Sequence, residues 1–184
     1  MKTALLVIDV QMGFVIRDAQ GLERSCPEAE QNISTLLSTF RGQGLPIFHI
    51  HNDDLVETSM FRFDKPGGAV QSFAQPIDGE PVIVKHVSSG FVGTTLEVDL
   101  KNAGIGRLIL CGAAANYCVE TTARMAGNLG FETYYVSDAV WTYENTGPDG
   151  VHHTAEQIHS TTLSNIHGEF ATVVNTIEAL GLIA

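Results

Sequence analysis

Short apolar runs and helical patterns alternate along the whole chain, and this alternation limits the fold more than any other feature. "ALLVIDV" (Ala4–Val10) is a continuous apolar run, the mark of a strand buried on both faces. Further strands are read in "PIFHIH" (Pro46–His51), "PVIVK" (Pro81–Lys85), "RLILCG" (Arg107–Gly112), "FETYYVSD" (Phe131–Asp138) and "ATVVN" (Ala171–Asn175). Between the first two, Ile33, Leu36, Leu37 and Phe40 recur at helical spacing. Ser25-x-x-Glu28 reads as a capping box before them, with Pro27 in the first turn, and Gly42 and Gly44 as stops. Thr94-x-x-Glu97 opens a helix that ends near Gly104, and another runs from about Cys118 to Gly130. The last two are read from about Gly150 to Ile166 and after a cap at Thr176. Asn52 to Gly79 has little periodicity and reads as a long loop of the kind that often carries function. This order predicts a three-layer α/β/α sandwich, doubly wound around a six-stranded, mainly parallel sheet, as a single domain over 1–184.

Composition narrows the function. The formal charge of −11 disfavours nucleic acid and anionic membrane surfaces, both of which ask for a basic face. The apolar start of the chain stops at Asp9, too early for a signal peptide, and no apolar stretch is long enough to cross a bilayer. Three cysteines without regular spacing fit reduced thiols, so a cytoplasmic protein is expected.

In doubly wound sheets ligands bind beyond the carboxyl ends of the strands. Three chemically capable residues fall there. Asp9 interrupts the end of the first strand, Lys85 ends the third, and Cys118 follows the fourth at a helix start. Singly, each has a plain structural explanation: a loop-capping carboxylate, a solvated lysine, a small buried hydrophobe. Together on one rim they make a nucleophile, a proton carrier and a charge stabiliser. A helix N-terminus and a nearby ammonium both favour a thiolate. A neighbouring carboxylate can take the thiol proton and return it to a leaving group. The run "GAAANYC" (Gly112–Cys118) has small side chains that let a carbonyl approach the backbone, where N–H groups can stabilise an oxyanion.

These residues carry a resemblance. "LLVIDVQMGF" (Leu5–Phe14), "VKHVSSGFVGTTLEVDL" (Val84–Leu100), "LILCGAAANYCVETTARMAGNLGF" (Leu108–Phe131) and "VSDAVWTY" (Val136–Tyr143), in this order, resemble the isochorismatase-like cysteine hydrolases over almost the whole chain. That superfamily includes nicotinamidases, N-carbamoylsarcosine amidohydrolase and ureidoacrylate hydrolases. The resemblance implies that Asp9, Lys85 and Cys118 occupy the catalytic triad positions. It implies a cis peptide between Ala113 and Ala114, and an oxyanion hole built from the Ala114 and Cys118 amides. Isochorismatases proper, which cleave a vinyl ether, lack the nucleophilic cysteine. A chain that keeps it is better suited to amide C–N hydrolysis through a thioester. The resemblance also implies a homo-oligomer, a dimer or tetramer, with the long loop packed against a neighbouring subunit or closing its site.

Nicotinamidases carry a metal behind an Asp-x-His motif after the second strand. Here the region reads "FHIHNDD": His49 stands in place of the Asp, His51 matches the His, and Asn52 to Gly79 holds no histidine. No metal and no cofactor are therefore expected, with one of His49 and His51 packing and the other facing the pocket rim. Phe14, Phe61, Tyr117 and Trp141, read in loops or at strand ends near the rim, are candidate walls of a substrate pocket, a role that competes with core packing. Cys26 and Cys111 are read as structural, His152 and His153 as solvated residues at a helix start, and His159 and His167 as having no partner at ligand spacing. Ser88 and Ser89 are read as satisfying loop backbone. The partner is a small-molecule substrate. Two alternatives stay open: a vinyl-ether or ester hydrolase using the same pocket, and a non-enzymatic protein with a reactive thiol.

Overall fold

The computed structural model describes residues 1–184. In chain order its first half is β1 (Lys2–Ile8), α1 (Met12–Ala19), α2 (Ala29–Gly42), β2 (Ile47–Asn52), β3 (Val82–Lys85) and α3 (Leu96–Asn102). The second half is β4 (Ile105–Ala113), α4 (Glu120–Asn128), β5 (Glu132–Trp141), β6 (Asn145–Thr146), β7 (His152–His153), α5 (Ala155–Ile166), β8 (Thr172–Val174) and α6 (Thr176–Gly181). Six strands form one sheet in the order β3-β2-β1-β4-β5-β8, and every pairing in it is parallel. This is the doubly wound sandwich that the alternating pattern predicts.

The period of two along β1 sorts its side chains between two cores. Ala4, Leu6 and Ile8 face a cluster that includes Leu96 and Leu100 of α3, Ala123 and Ala126 of α4 and Ile166 of α5. Leu5 and Val7 face the opposite cluster, which takes in Phe14 of α1, Ile33, Leu36, Leu37 and Phe40 of α2 and Ala179 of α6. The strand order reverses between β1 and β4. Their carboxyl ends frame the crevice where such sheets bind ligands.

Several local readings need correction. Helix α1 is unexpected: its N-cap, Gln11, makes no side-chain capping bond, so the sequence offers no start signal there. Ser25 does not cap α2, whose N-cap is Glu28. Its hydroxyl is drawn instead to the Thr142 amide and to His159 Nδ1. In α6 the cap is Asn175, in a reciprocal pair with Glu178, and Thr176 is the first helical residue. His152 and His153 form β7, paired antiparallel with β6, and α5 starts later behind a Thr154–Gln157 capping box. Between β2 and β3 the chain makes only short helical turns at Pro66–Gly68 and Ser72–Ala74. No helix is long and apolar enough to cross a membrane.

Candidate active site

The site is assembled by the ends of four parallel strands and the turns that leave them. Asp9 follows β1 directly and takes a left-handed backbone, with φ of 51°. That conformation is unfavourable for a residue with a Cβ, and asparagine and aspartate tolerate it best. Its amide donates to Ile50 O at 2.8 Å and its carbonyl accepts from Gln11 N at 2.7 Å. Gln11 is itself fully buried and locks the neighbouring strand end: its Nε2 donates to the carbonyls of Asn52 and Gly68, and its Oε1 accepts from Asn52 N. The carboxylate is thus held from two strands at once.

Lys85 is the last residue of β3, in register with Asn52, the last of β2. Its side chain is fully buried, and its ammonium donates at 2.7 Å to Asp9 Oδ2, at 3.3 Å to Cys118 Sγ and at 3.3 Å to Asn52 Oδ1. These acceptors use all three ammonium protons. Sequence reading had not picked out Asn52 as a site residue. Its signal is positional: it is the one polar side chain opposite Lys85 where both strands end.

Cys118 comes from the other side of the crevice. β4 ends at Ala113, the Ala113–Ala114 peptide is cis, and Ala115–Val119 form a single π turn before α4 begins. Cys118 therefore lies in a π turn just ahead of the α-helix. The turn is anchored where the amides of Tyr117 and Val119 both donate to Ala114 O, and where the Tyr135 hydroxyl donates to Ala115 O at 2.9 Å. Gly112 has φ of 121°, and a Cβ there would meet Ile8 O at 2.0 Å. Only glycine lets β4 pass β1 this closely at the crevice.

The electrostatics follow from burial. Burial pushes the Asp9 carboxyl above its ordinary value, and the adjacent Lys85 charge offsets this only in part. Burial acts to discharge Lys85, but Asp9 and Cys118 more than compensate and hold it protonated. The Cys118 thiol is pushed up to about 12, first by burial and then by the Asp9 charge, against a smaller opposing pull from Lys85. The resting thiol therefore keeps its proton: the helix start and the ammonium, read as favouring a thiolate, are outweighed by desolvation, and the carboxylate is left to take the proton. Asp9 Oδ1 is buried and makes no hydrogen bond of ordinary geometry, and the Cys118 thiol beside the carboxylate is the group whose proton it can accept.

A cavity of about 150 Å³ opens over these groups. Asp9, Asn52, Ala114 and Cys118 line it on the side of the strands, and Phe14, Phe61, Tyr117 and Arg17 complete it. Phe14 and Phe61 pack with ring centroids 4.8 Å apart, which Gly13 permits, since a Cβ there would meet Phe61 at 2.5 Å. Of the four aromatic residues read as candidate walls, Phe14, Phe61 and Tyr117 reach the cavity. Trp141 does not: it is fully buried at the end of β5, edge-on behind Phe14 at 5.5 Å and covered by the Arg24 guanidinium. Phe14 sits on α1, not in a loop, and sequence reading missed Arg17.

His49 and His51 do not divide between core and rim as expected. Two residues apart on one strand they share a face, and both are buried with ring centroids 6.0 Å apart. His49 Nε2 bonds Glu80 Oε2 at 2.8 Å. No group of three or more His, Cys, Asp or Glu side chains is arranged to hold a metal ion. Cys26 and His159 meet at 3.8 Å, beside Ser25, away from this cavity.

Residues 3–178 match the family model described as Isochorismatase domain. The uncharacterized isochorismatase family protein YrdC of Bacillus subtilis is 37% identical over 175 residues, covering 95% of this chain and 92% of that one. A putative hydrolase of the isochorismatase family from Chromobacterium violaceum superposes with a TM-score of 0.92 at 36% identity, covering 98% of this chain and 92% of that one. Streptothricin hydrolase of Streptomyces noursei is 34% identical across 77% of this chain and 50% of its own length. Nicotinamidase 3 of Arabidopsis thaliana is 26% identical across 94% and 84%, and N-carbamoylsarcosine amidase of Arthrobacter is 31% identical across 58% and 48%. The sheet, the crevice and these similarities agree: the chain belongs to the isochorismatase family and is a hydrolase.

Proposed function

We propose that this hydrolase cleaves the amide C–N bond of a small molecule through a thioester on Cys118. The observation that carries the reading is the ammonium of Lys85, bonded at once to Asp9 Oδ2 and Cys118 Sγ beside an Asp9 Oδ1 without an ordinary hydrogen bond. Relatives whose names specify an amidase or nicotinamidase support the bond type.

The steps follow from the proton positions. As Sγ attacks the carbonyl carbon, its proton passes to Asp9 and an S–C bond forms. The carbonyl electrons move to oxygen, where the Ala114 and Cys118 amides are the proposed donors; each such donor is worth roughly 10²–10³ in rate. Collapse breaks the C–N bond, and Asp9 returns the proton to the departing nitrogen. Water then attacks the thioester and gives a proton to Asp9. Expulsion of the carboxylic acid product breaks the S–C bond, and the proton restores the thiol. Lys85 stays charged throughout and offsets the negative charge that moves between sulfur and carboxylate. None of these steps draws on a metal.

Cys118→Ala tests the reading, because alanine removes the attacking atom while nearly keeping the volume. The variant should fold normally and release no ammonia from any small primary amide or ureido acid that the native protein hydrolyses. Turnover by the variant would refute the reading. So would native activity confined to vinyl ethers. The reading includes self-association: Leu55, Val56 and Phe63, on the segment between β2 and β3, are 70%, 59% and 47% exposed. Light scattering at micromolar concentration should give a dimer or tetramer, and a strict monomer would contradict it.

A further inference from the structure

The pocket holds a cation that the protein itself does not neutralise. The chain has ten lysines and arginines against 21 acidic residues. Seven of the ten pair with carboxylates: Arg24, Arg41, Arg62, Lys85, Lys101, Arg107 and Arg124. Lys2 and Lys65 donate to backbone carbonyls, of Ala103 and Glu57. Arg17 alone has no acceptor in the protein. The acids beside it in sequence or sharing a cavity with it are committed elsewhere: Asp18 to Arg24 and the Tyr143 hydroxyl, Glu144 to the Glu23 amide and His152, and Asp9 to Lys85.

Arg17 is also held in place. Its guanidinium carbon lies 5.7 Å from the centroid of Phe14, 5.4 Å from Phe61 and 5.8 Å from Tyr143. Three rings fix a planar fork of donors without using those donors up. The fork lines the cavity that Cys118 and Asp9 line, and an adjoining cavity bounded by Asn116 and Thr142. Lys85, the other cation at the site, is already matched by Asp9.

We infer that Arg17 is a specificity-determining residue that binds a carboxylate of the substrate, so that the substrate is a small amide or ureide carrying a carboxylate besides the scissile carbonyl. This rests on the proposed hydrolase reading and names its substrate class. An aromatic bed and unused planar donors suit a carboxylate, which accepts two parallel bonds from such a fork. A position in the last turn of α1 also favours a cation through the helix dipole, but the dipole calls for no stacking over the pocket rings.

Two alkylating probes that differ in charge test this without knowledge of the substrate. Iodoacetate carries a carboxylate where iodoacetamide carries a neutral amide. Each forms a bond from Cys118 Sγ to its methylene carbon as the C–I bond breaks, releasing iodide while the thiol proton passes to Asp9. Rates are read at the Cys118 peptide by mass spectrometry, with Cys26 as internal control. Arg17→Gln should slow iodoacetate labelling of Cys118 by about tenfold to a hundredfold, the range for a lost charge-assisted hydrogen bond. The iodoacetate-to-iodoacetamide rate ratio at Cys118 should fall by the same factor, while that ratio at Cys26 stays as in the native protein. Arg17→Lys, which keeps the charge without the fork, should fall between. In turnover, KM for succinamate should rise in Arg17→Gln relative to KM for butyramide. An iodoacetate-to-iodoacetamide ratio equal in native and Arg17→Gln proteins would overturn the inference and leave the Cys118 mechanism standing. Failure of Cys118 to mediate any turnover would instead overturn the hydrolase reading.

Discussion

Strand β3 is bracketed by two ionic clusters, a part-buried one at its amino side and a buried one at its carboxyl side, and their carboxylates are satisfied differently. At its amino side Glu80 accepts from Arg41 Nε at 2.8 Å through Oε1. Its Oε2 accepts from Arg41 Nη2 at 2.9 Å, from His49 Nε2 at 2.8 Å and from Ile77 N at 3.1 Å. Both oxygens are used. At its carboxyl side Lys85 is saturated, but its partner Asp9 has a buried oxygen without an ordinary hydrogen bond, and it shares a cavity with the Cys118 thiol, whereas the wider cavity of about 460 Å³ beside Arg41 and Glu80 is lined by no thiol or hydroxyl. At the amino side the carboxylate is fully used and held in one geometry, and the atom left without a partner is a histidine nitrogen, His49 Nδ1, which has no neighbouring proton to take. At the carboxyl side the loosely satisfied oxygen belongs to a carboxylate beside a thiol, so it can take a proton during a reaction, and its incomplete pairing costs stability. In a sheet of this topology the second kind belongs at the carboxyl end.

The sharpest way to break the comparison is Asp9→Asn. Asparagine still accepts from Lys85, but it cannot carry a proton, so kcat should fall by about 10²–10⁴, and the buried ammonium left without its counter-charge should cost about 3–5 kcal/mol of stability. A variant that loses stability but not rate would make the two clusters alike. Lys85→Met should follow in size. It strands a buried carboxylate, which typically costs about 3–5 kcal/mol. The Asp9→Asn, Lys85→Met double variant should regain stability measured by urea unfolding and remain inactive. Recovery of activity would contradict a role for this charge pair in catalysis.

Acid should reach the molecule in two stages. His51 is held down at about 4, by burial first and then by its neighbour His49. An unfolded histidine titrates near 6.5, so the unfolded chain binds more protons as pH falls from there to about 4, and about 3 kcal/mol of stability is lost in that window. Burial pushes the Glu80 carboxyl up, but bonds from Arg41, Ile77 and His49 prevail and hold it at about 2. Its contribution is complete above the ordinary glutamate value and is lost as pH falls toward about 2. Unfolding free energies measured from pH 7 to 3 should show the first stage flattened in His51→Leu. The smallest effect expected is that of Glu80→Gln, a loss of about 1–3 kcal/mol with kcat unchanged. A change in kcat would tie the amino end to the chemistry.

The sheet was legible because five of its six strands are long or strongly apolar and helical patterns separate them. Asp9, Lys85 and Cys118 were legible as residue types at strand ends. What stayed hidden shares one cause: it depends on neighbours far apart in sequence. Helix α1 starts without a capping side chain, so Phe14 and Arg17 could not be placed on it. Asn52 gains its role only through register with Lys85. Trp141 looked suited to a pocket wall, but Phe14 stands in front of it. The protonation of Cys118 is set by burial, which the helix start and nearby lysine did not reveal.

The central claim is that Cys118 becomes covalently acylated during turnover. It is tested most directly by acid-quenching the native protein during steady hydrolysis of a small amide it accepts and mapping its peptides by mass spectrometry. The acyl mass of that amide should appear on the Cys118 peptide, on neither Cys26 nor Cys111, and disappear once the substrate is consumed. Sustained hydrolysis by Cys118→Ala, or an acyl group carried on another residue, would contradict it.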